Sequence, residues 1–260
     1  MDRRNIDKIA ANDDDRLLLA KLWDKISRGI QKNILVYTGF LSPREQQMAN
    51  FLFGNEDGLC FWGGYTEAER KMLVYLPDYC DEAALYREGP VTCLEASFYH
   101  TEAPSHRDFL GALIGSGITR ECIGDILVAD GLAHFFVTKD IAPYILQSFE
   151  KAGRTALRLK EIPLSAFRLP DQKFTEINDT VASLRLDSIL SAGFRISRNV
   201  ASEYITAGKV AIDGLPCEKA DRSVTEGCKL SVRGLGKVQL TQIGRTTKKG
   251  RIAVTIHRYE

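Results

Sequence analysis

The chain lacks the cysteine and histidine spacing that holds metals and the long apolar runs that cross membranes. Its six cysteines, at positions 60, 80, 93, 122, 217 and 228, never form C-x-x-C, and its four histidines show no ligand spacing with them. Structural zinc is therefore not expected, and a reduced, cytoplasmic protein is. No stretch of about 18 apolar residues is present, so no transmembrane helix is expected. The opening MDRRNIDKIAANDDDR is charged, without the apolar centre of a secretory signal. A composition 44% hydrophobic and 27% charged belongs to folded domains, and 260 residues allow two or three.

What the chain does have is a charge split. From Thr180 onward 14 Lys and Arg stand against 7 Asp and Glu, and the remainder carries 21 basic and 27 acidic residues. A basic module on an acidic carrier points to an anionic partner. Residues 184–214, LRLDSILSAGFRISRNVASEYITAGKVAIDG, concentrate that signal. Leu186, Ile189 and Leu190 have helical spacing, and Gly193 is expected to end the helix. Ser197 suits the N-cap of a second helix with Val200, Ala201, Tyr204 and Ile205 inward, ended by Gly208. Residues 209–212 read as a strand, and Asp213-Gly214 as a hairpin turn.

Arg185 and Arg198 fall in the first turns of these helices. A cation there is unfavourable by about 0.3–1 kcal/mol, unless an anion docks where backbone N–H groups and guanidinium converge. The alternative is that both arginines sit in water or pair with Asp187 and Glu203. With Arg195 and Lys209 in the same stretch, the balance favours a phosphodiester chain. Arg185, Arg195, Ser197, Arg198 and Lys209 are expected to contact phosphates, with Asp187 orienting Arg185. Lys248, Lys249 and Arg251, in a basic hairpin loop, would extend the track.

The segments Arg185-Leu186-Asp187, Ser197-Arg198, Gly208-Lys209-Val210 and Asp213-Gly214 resemble the alpha-L RNA-binding motif, the S-four-type domain. Asp213 replaces that family's usual Asn, and Cys228 stands after Gly227 where Asp is common. The resemblance implies an alpha-L fold for residues 181–260.

The expected class is α+β throughout. Residues 1–77 read as a helical or mixed unit. Residues 1–53 are expected to be helical, with one helix over 13–29, another opening at Ser42-Pro43-Arg44-Glu45, and Phe51, Leu52 and Phe53 in the core. Strands are expected at 59–62 and 71–76. Residues 78–165 give strand 91–99, a helix capped by Ser105, strands 125–129 and 132–137 around an Asp130-Gly131 turn, helix 141–151 and strand 155–162. The order βαββαβ is ferredoxin-like, or RRM-like. An RRM stacks bases on central-strand aromatics. Phe98, Tyr99, Phe135 and Phe136 occupy those strands, but the K/R-G-F-G-F-V-x-F signature is absent, so packing is the expectation. Residues 166–180, with Pro170 and many polar residues, read as a linker.

A second resemblance rests on Gly63-Gly64-Tyr65, Ala68-Glu69-Arg70, Ser105-His106-Arg107-Asp108-Phe109-Leu110-Gly111, Gly117-Ile118-Thr119-Arg120 and Gly124-Asp125-Ile126. These are similar to the YlmH family of bacterial RNA-binding proteins over nearly the whole chain. The resemblance implies binding to rRNA of the large ribosomal subunit, with peptidyl-tRNA and quality-control factors as further partners, and a role in ribosome-associated quality control. Arg107 and Arg120 are expected to form a lesser RNA contact. No catalytic residue, cofactor or metal is expected, and the chain is expected to be monomeric. Cys93, His106 and Asp108 can be drawn as a triad, but Cys93 falls in a strand and nothing places His106 beside it. Gly111, Gly115 and Gly117 end a helix where a phosphate loop would open one. The rival readings are an RNA-modifying enzyme and a ribosome-assembly factor.

Overall fold

A computed structural model of the chain describes residues 3–54, 56–99, 103–129, 131–170 and 174–259. It divides into two units, Met1–Pro170 and Asp171–Glu260.

In the first unit, α1 (Ile6–Ile9) precedes α2 (Asp13–Lys32), whose N-cap Asn12 accepts from the Asp15 N–H. Three aspartates in its first turn complement the helix dipole. Helix α3 (Pro43–Phe53) opens with the expected capping box between Ser42 and Glu45. Asp15 and Arg44 join the two helices through paired hydrogen bonds of 2.8 and 2.6 Å. Strands β1 (Val36–Leu41), β2 (Leu59–Trp62) and β3 (Lys71–Tyr75) form an antiparallel sheet in the order β1-β3-β2. Leu19, Leu22, Ile26, Leu52, Phe53 and Leu73 fill the core beside it. Two expectations are corrected here. Residues 36–41, read as helical, form a strand, and Phe51, placed in the core, is 66% exposed.

Helix α4 (Glu82–Glu88) leads to β4 (Val91–Ser97), α5 (His106–Gly115), β5 (Ile123–Ala129), β6 (Leu132–Thr138) and α6 (Ala142–Ser148). A short hairpin of β7 (Lys151–Ala152) and β8 (Thr155–Ala156) follows, then β9 (Arg158–Ile162). Helix α6 is thus shorter than expected. Of the anticipated Asp130-Gly131 turn, Asp130 lies outside the described residues. The sheet runs β5-β6-β4-β9, antiparallel throughout. Alternation along β4 and β6 sends side chains to two cores. Leu94 and Phe135 pack with Phe109, Leu113 and Ile145, whereas Cys93 and Phe136 pack with Phe40, Met72, Val74 and Phe167. Residues on either side of position 77 therefore share a core. Phe98, Phe135 and Phe136 are buried, and Tyr99 is exposed.

In the second unit, β10 (Phe174–Val181) pairs along its whole length with β15 (Ile252–Tyr259), so residues 174–180 of the expected linker are strand. The remaining strands are β11 (Val210–Ile212), β12 (Leu215–Pro216), β13 (Lys229–Val232) and β14 (Gly236–Thr246), in the order β10-β15-β14-β13-β11-β12. Asp213 and Gly214 both take positive φ, 48° and 80°, as a tight hairpin requires. Helices α7 (Leu186–Phe194) and α8 (Arg198–Thr206) bury Leu186, Ile189, Leu190, Ala201 and Ile205 against Val238, Leu240, Val254 and Ile256. Gly193 does not end α7 but lies inside it, where a Cβ would stand 3.1 Å from Val238 Cγ1. Close approach of helix to sheet is what requires glycine there. The helix ends instead at Arg195, at φ 55°.

Candidate nucleic-acid interface

The site is built on Asp187, the second residue of α7 and only 5% exposed. Its Oδ1 accepts from Arg185 Nε at 3.3 Å and from Ser188 Oγ at 3.3 Å, and its Oδ2 accepts from Arg198 Nη2 at 2.7 Å. Burial alone would raise the pKa of this carboxyl. The hydrogen bonds from Arg198 and Arg185 outweigh burial and hold it below the ordinary carboxylate range. The two guanidiniums remain about half exposed, at 45% and 51% of side-chain area. One buried anion thus fixes two outward cations at the starts of two helices. Each guanidinium has five N–H donors, so most remain for an external acceptor.

Helix pairing brings this about. The α7–α8 turn is held by Ser191, whose backbone carbonyl accepts from the Ile196 N–H while its hydroxyl donates to the Ile196 carbonyl. Asp187, expected to orient Arg185, holds Arg198 as well. The α7 start departs from expectation in another way. The Leu186 and Asp187 N–H groups donate to the carbonyls of Arg222 and Ala220, at 2.8 and 3.1 Å, so they do not face an external anion. At α8, Ser197 Oγ caps the Val200 N–H at 3.3 Å, which gives that hydroxyl a structural task.

The other expected residues scatter. Lys209 Nζ stands 5.5 Å from the Tyr204 ring centroid. Lys248 and Lys249 are exposed in the β14–β15 turn. Arg251 turns back, donating Nε to Thr180 Oγ1 at 2.9 Å and Nη2 to the Thr180 carbonyl, and so braces the end of β10. Arg195 lies at the opposite end of α7 from Arg185, in a separate groove.

In the first unit Arg107 is exposed on α5, but Arg120 is partly buried and donates to the carbonyls of Ile123 and Gly124 at 2.8 and 3.3 Å. The neighbouring motif residues are structural. Asp125 accepts from Tyr65 Oη at 2.8 Å, the Glu69 N–H at 2.7 Å and the Arg70 N–H at 3.0 Å. Arg70 donates to the carbonyls of Ile123 and Phe40, and burial lowers its pKa to about 10. Cys93 is fully buried and its thiol is pushed up to about 12 by desolvation, so it supplies no thiolate nucleophile. Among the described residues no group of three or more His, Cys, Asp and Glu could hold a metal ion, and no helix is long and apolar enough to cross a membrane.

Comparison with known proteins places the chain among RNA-binding relatives. A family model for a candidate RNA-binding domain in YlmH matches residues 99–166, and the S4 domain model matches residues 184–227. The ribosome-associated protein quality control protein P2 of Bacillus subtilis (strain 168) is 34% identical over 224 residues, covering 85% of this chain and 86% of that protein. A solved structure, the cell division protein ylmH from Streptococcus pneumoniae, aligns with a TM-score of 0.50 at 20% identity, over 60% of this chain and 95% of that one, which is a likeness of fold. With an S4 domain around Asp187, a YlmH match ahead of it and a third of its residues identical to a relative over most of both lengths, the chain belongs to the YlmH family of RNA-binding proteins.

Proposed function

We propose that the protein binds the large ribosomal subunit through structured rRNA, with peptidyl-tRNA as a second contact, and acts in ribosome-associated quality control of stalled nascent chains. The observation that carries this reading is the buried Asp187 carboxylate fixing Arg185 and Arg198 in half-exposed positions. Guanidiniums held in place lose little freedom on meeting a phosphate, and phosphate contacts set register on a folded RNA without reading its sequence. The name of the Bacillus subtilis relative, a ribosome-associated protein quality control protein, supports the quality-control setting.

In this reading the second unit makes the main RNA contact. We read segment 78–165 of the first unit as RRM-like, a reading supported by the sheet order β5-β6-β4-β9, in which β4 and β6 are central. Cys93 and Phe136 pack that sheet's second face against Phe40, Met72 and Phe167, so the surface an RRM would offer to bases is covered. No group in the proposed interface carries bond chemistry, and the reading is of a non-enzymatic binder.

The test is a titration of purified large ribosomal subunits across a range of salt. The wild-type affinity is expected to fall steeply as salt rises, and the R185Q/R198Q variant to bind more weakly with a log–log slope shallower by about 1.5–2. A flat wild-type titration, or a double variant indistinguishable from wild type, overturns the proposal.

A further inference from the structure

A groove of about 530 Å³ lies in the second unit, lined by Ile177, Arg195, Leu235, Arg258 and Tyr259. That volume falls within the roughly 300–1,000 Å³ of ligand clefts. Neither Arg195 nor Arg258 pairs with a carboxylate among the described residues, although the unit supplies acids elsewhere. Arg258 packs its guanidinium over the Phe194 ring at 5.5 Å, which fixes its direction. Arg195 occupies a left-handed backbone position, φ 55° and ψ 43°, where helix ends favour Gly or Asn. The helix dipole accounts for a cation at this end of α7 but not for the second guanidinium, which comes from a strand.

We propose that the Arg195–Arg258 groove is a second phosphodiester site, which takes the backbone of the same RNA that docks at Arg185 and Arg198. This inference rests on the reading of the unit as an RNA binder. Arg185 and Arg195 flank the nine-residue helix α7, so they stand roughly 15 Å apart at about 1.5 Å of rise per residue. A phosphate sits between the two guanidiniums, and its ribose lies against Leu235 and Ile177. Two anchor points at the ends of one rigid helix select for a strand that follows the helix axis. Sequence patterning did not reveal Arg258, because only its register opposite Val238 on β14 brings it to the groove.

The test uses R195Q, R258Q and R258K in the full chain, titrated against salt with two probes, purified large ribosomal subunits and a twelve-nucleotide oligouridylate. R195Q and R258Q are expected to bind both probes about tenfold more weakly at low salt, each with a log–log slope shallower by about 0.7–0.9. R258K, which keeps the charge above Phe194, is expected to retain the wild-type slope, and this separates loss of charge from loss of packing. If wild type binds the oligouridylate but not the subunits and R258Q weakens that binding, the groove stands and the ribosomal reading fails. If R195Q and R258Q match wild type on both probes while R185Q/R198Q does not, the groove is overturned and the ribosomal reading stands. Equal weakening in R258K and R258Q also overturns it.

Discussion

Replacing the Asp187 carboxylate by an amide removes the anion and turns an N–H donor toward one of two guanidiniums. D187N is expected to destabilise the α7–α8 pair by about 1–3 kcal/mol, the range for a buried polar group left without its partner. The pH dependence follows from the depressed pKa of Asp187. Its stabilisation is fully present above the unfolded carboxyl value, near 4, and is lost as pH falls through the lower folded value. Hydrogen exchange of residues 186–206 is therefore expected to show a wild-type advantage over D187N from neutral pH down to about 5. That advantage closes below about pH 4. Arg195 behaves in the opposite sense. R195G relieves a left-handed non-glycine residue and is expected to raise stability by roughly 0.5–1 kcal/mol in thermal melts. Candidate cations were legible from the sequence at this scale, since Arg185 and Arg198 stand where helices begin. Their common partner was not, because the eleven-residue separation of Asp187 and Arg198 closes only when the turn at Arg195 folds the two helices together.

Among the elements, helix starts were the best-marked features. Ser42 with Glu45 and Ser105 with Asp108 form capping boxes within reach of local sequence reading. Two strands escaped notice for identifiable reasons. Val36 and Phe40 stand four apart, as on a helix face, and β1 bends between Tyr37 and Phe40, where Gly39 lets Glu121 approach. In β10 only Ile177 and Val181 are buried, so the alternation of an edge strand is too sparse to read. Gly193 shows how packing overrides a local signal. G193A would gain up to about 1 kcal/mol of helix propensity, but it presses a methyl group onto Val238 and Ile256, both fully buried and β-branched. Overpacking at about 1–3 kcal/mol is expected to win, so G193A melts at a lower temperature than wild type. In the first unit, R44M leaves Asp15 buried without its paired donors. Arg44 is 38% exposed, so after allowance for solvent screening the expected loss is about 1–3 kcal/mol. Urea unfolding followed by fluorescence reads this directly, since Trp23 and Trp62 both belong to the first unit.

For the molecule as a whole, the charge split makes the second unit the main RNA contact in the proposed reading, and the pairing of β10 determines where that unit begins. A fragment starting at residue 181, where the sequence patterning opens the S-four-type domain, would lose all of β10 except Val181. It would remove Ile177 from the core and expose the length of β15 as an edge. Burying one such aliphatic side chain is worth about 1.5–3 kcal/mol, and an unpaired edge invites association between chains. Fragment 171–260 keeps β10, the Asp187 cluster and the β14–β15 turn together, and its core draws on residues of this unit alone. It is expected to fold cooperatively, to remain monomeric in sedimentation and to bind RNA with a steep salt dependence. Fragment 181–260 is expected to melt lower and to associate, and fragment 1–170, with its acidic excess, to bind RNA weakly or not at all. Equal stability and binding in the two C-terminal fragments would show that β10 is dispensable to the RNA-binding unit, contrary to its eight-residue pairing with β15.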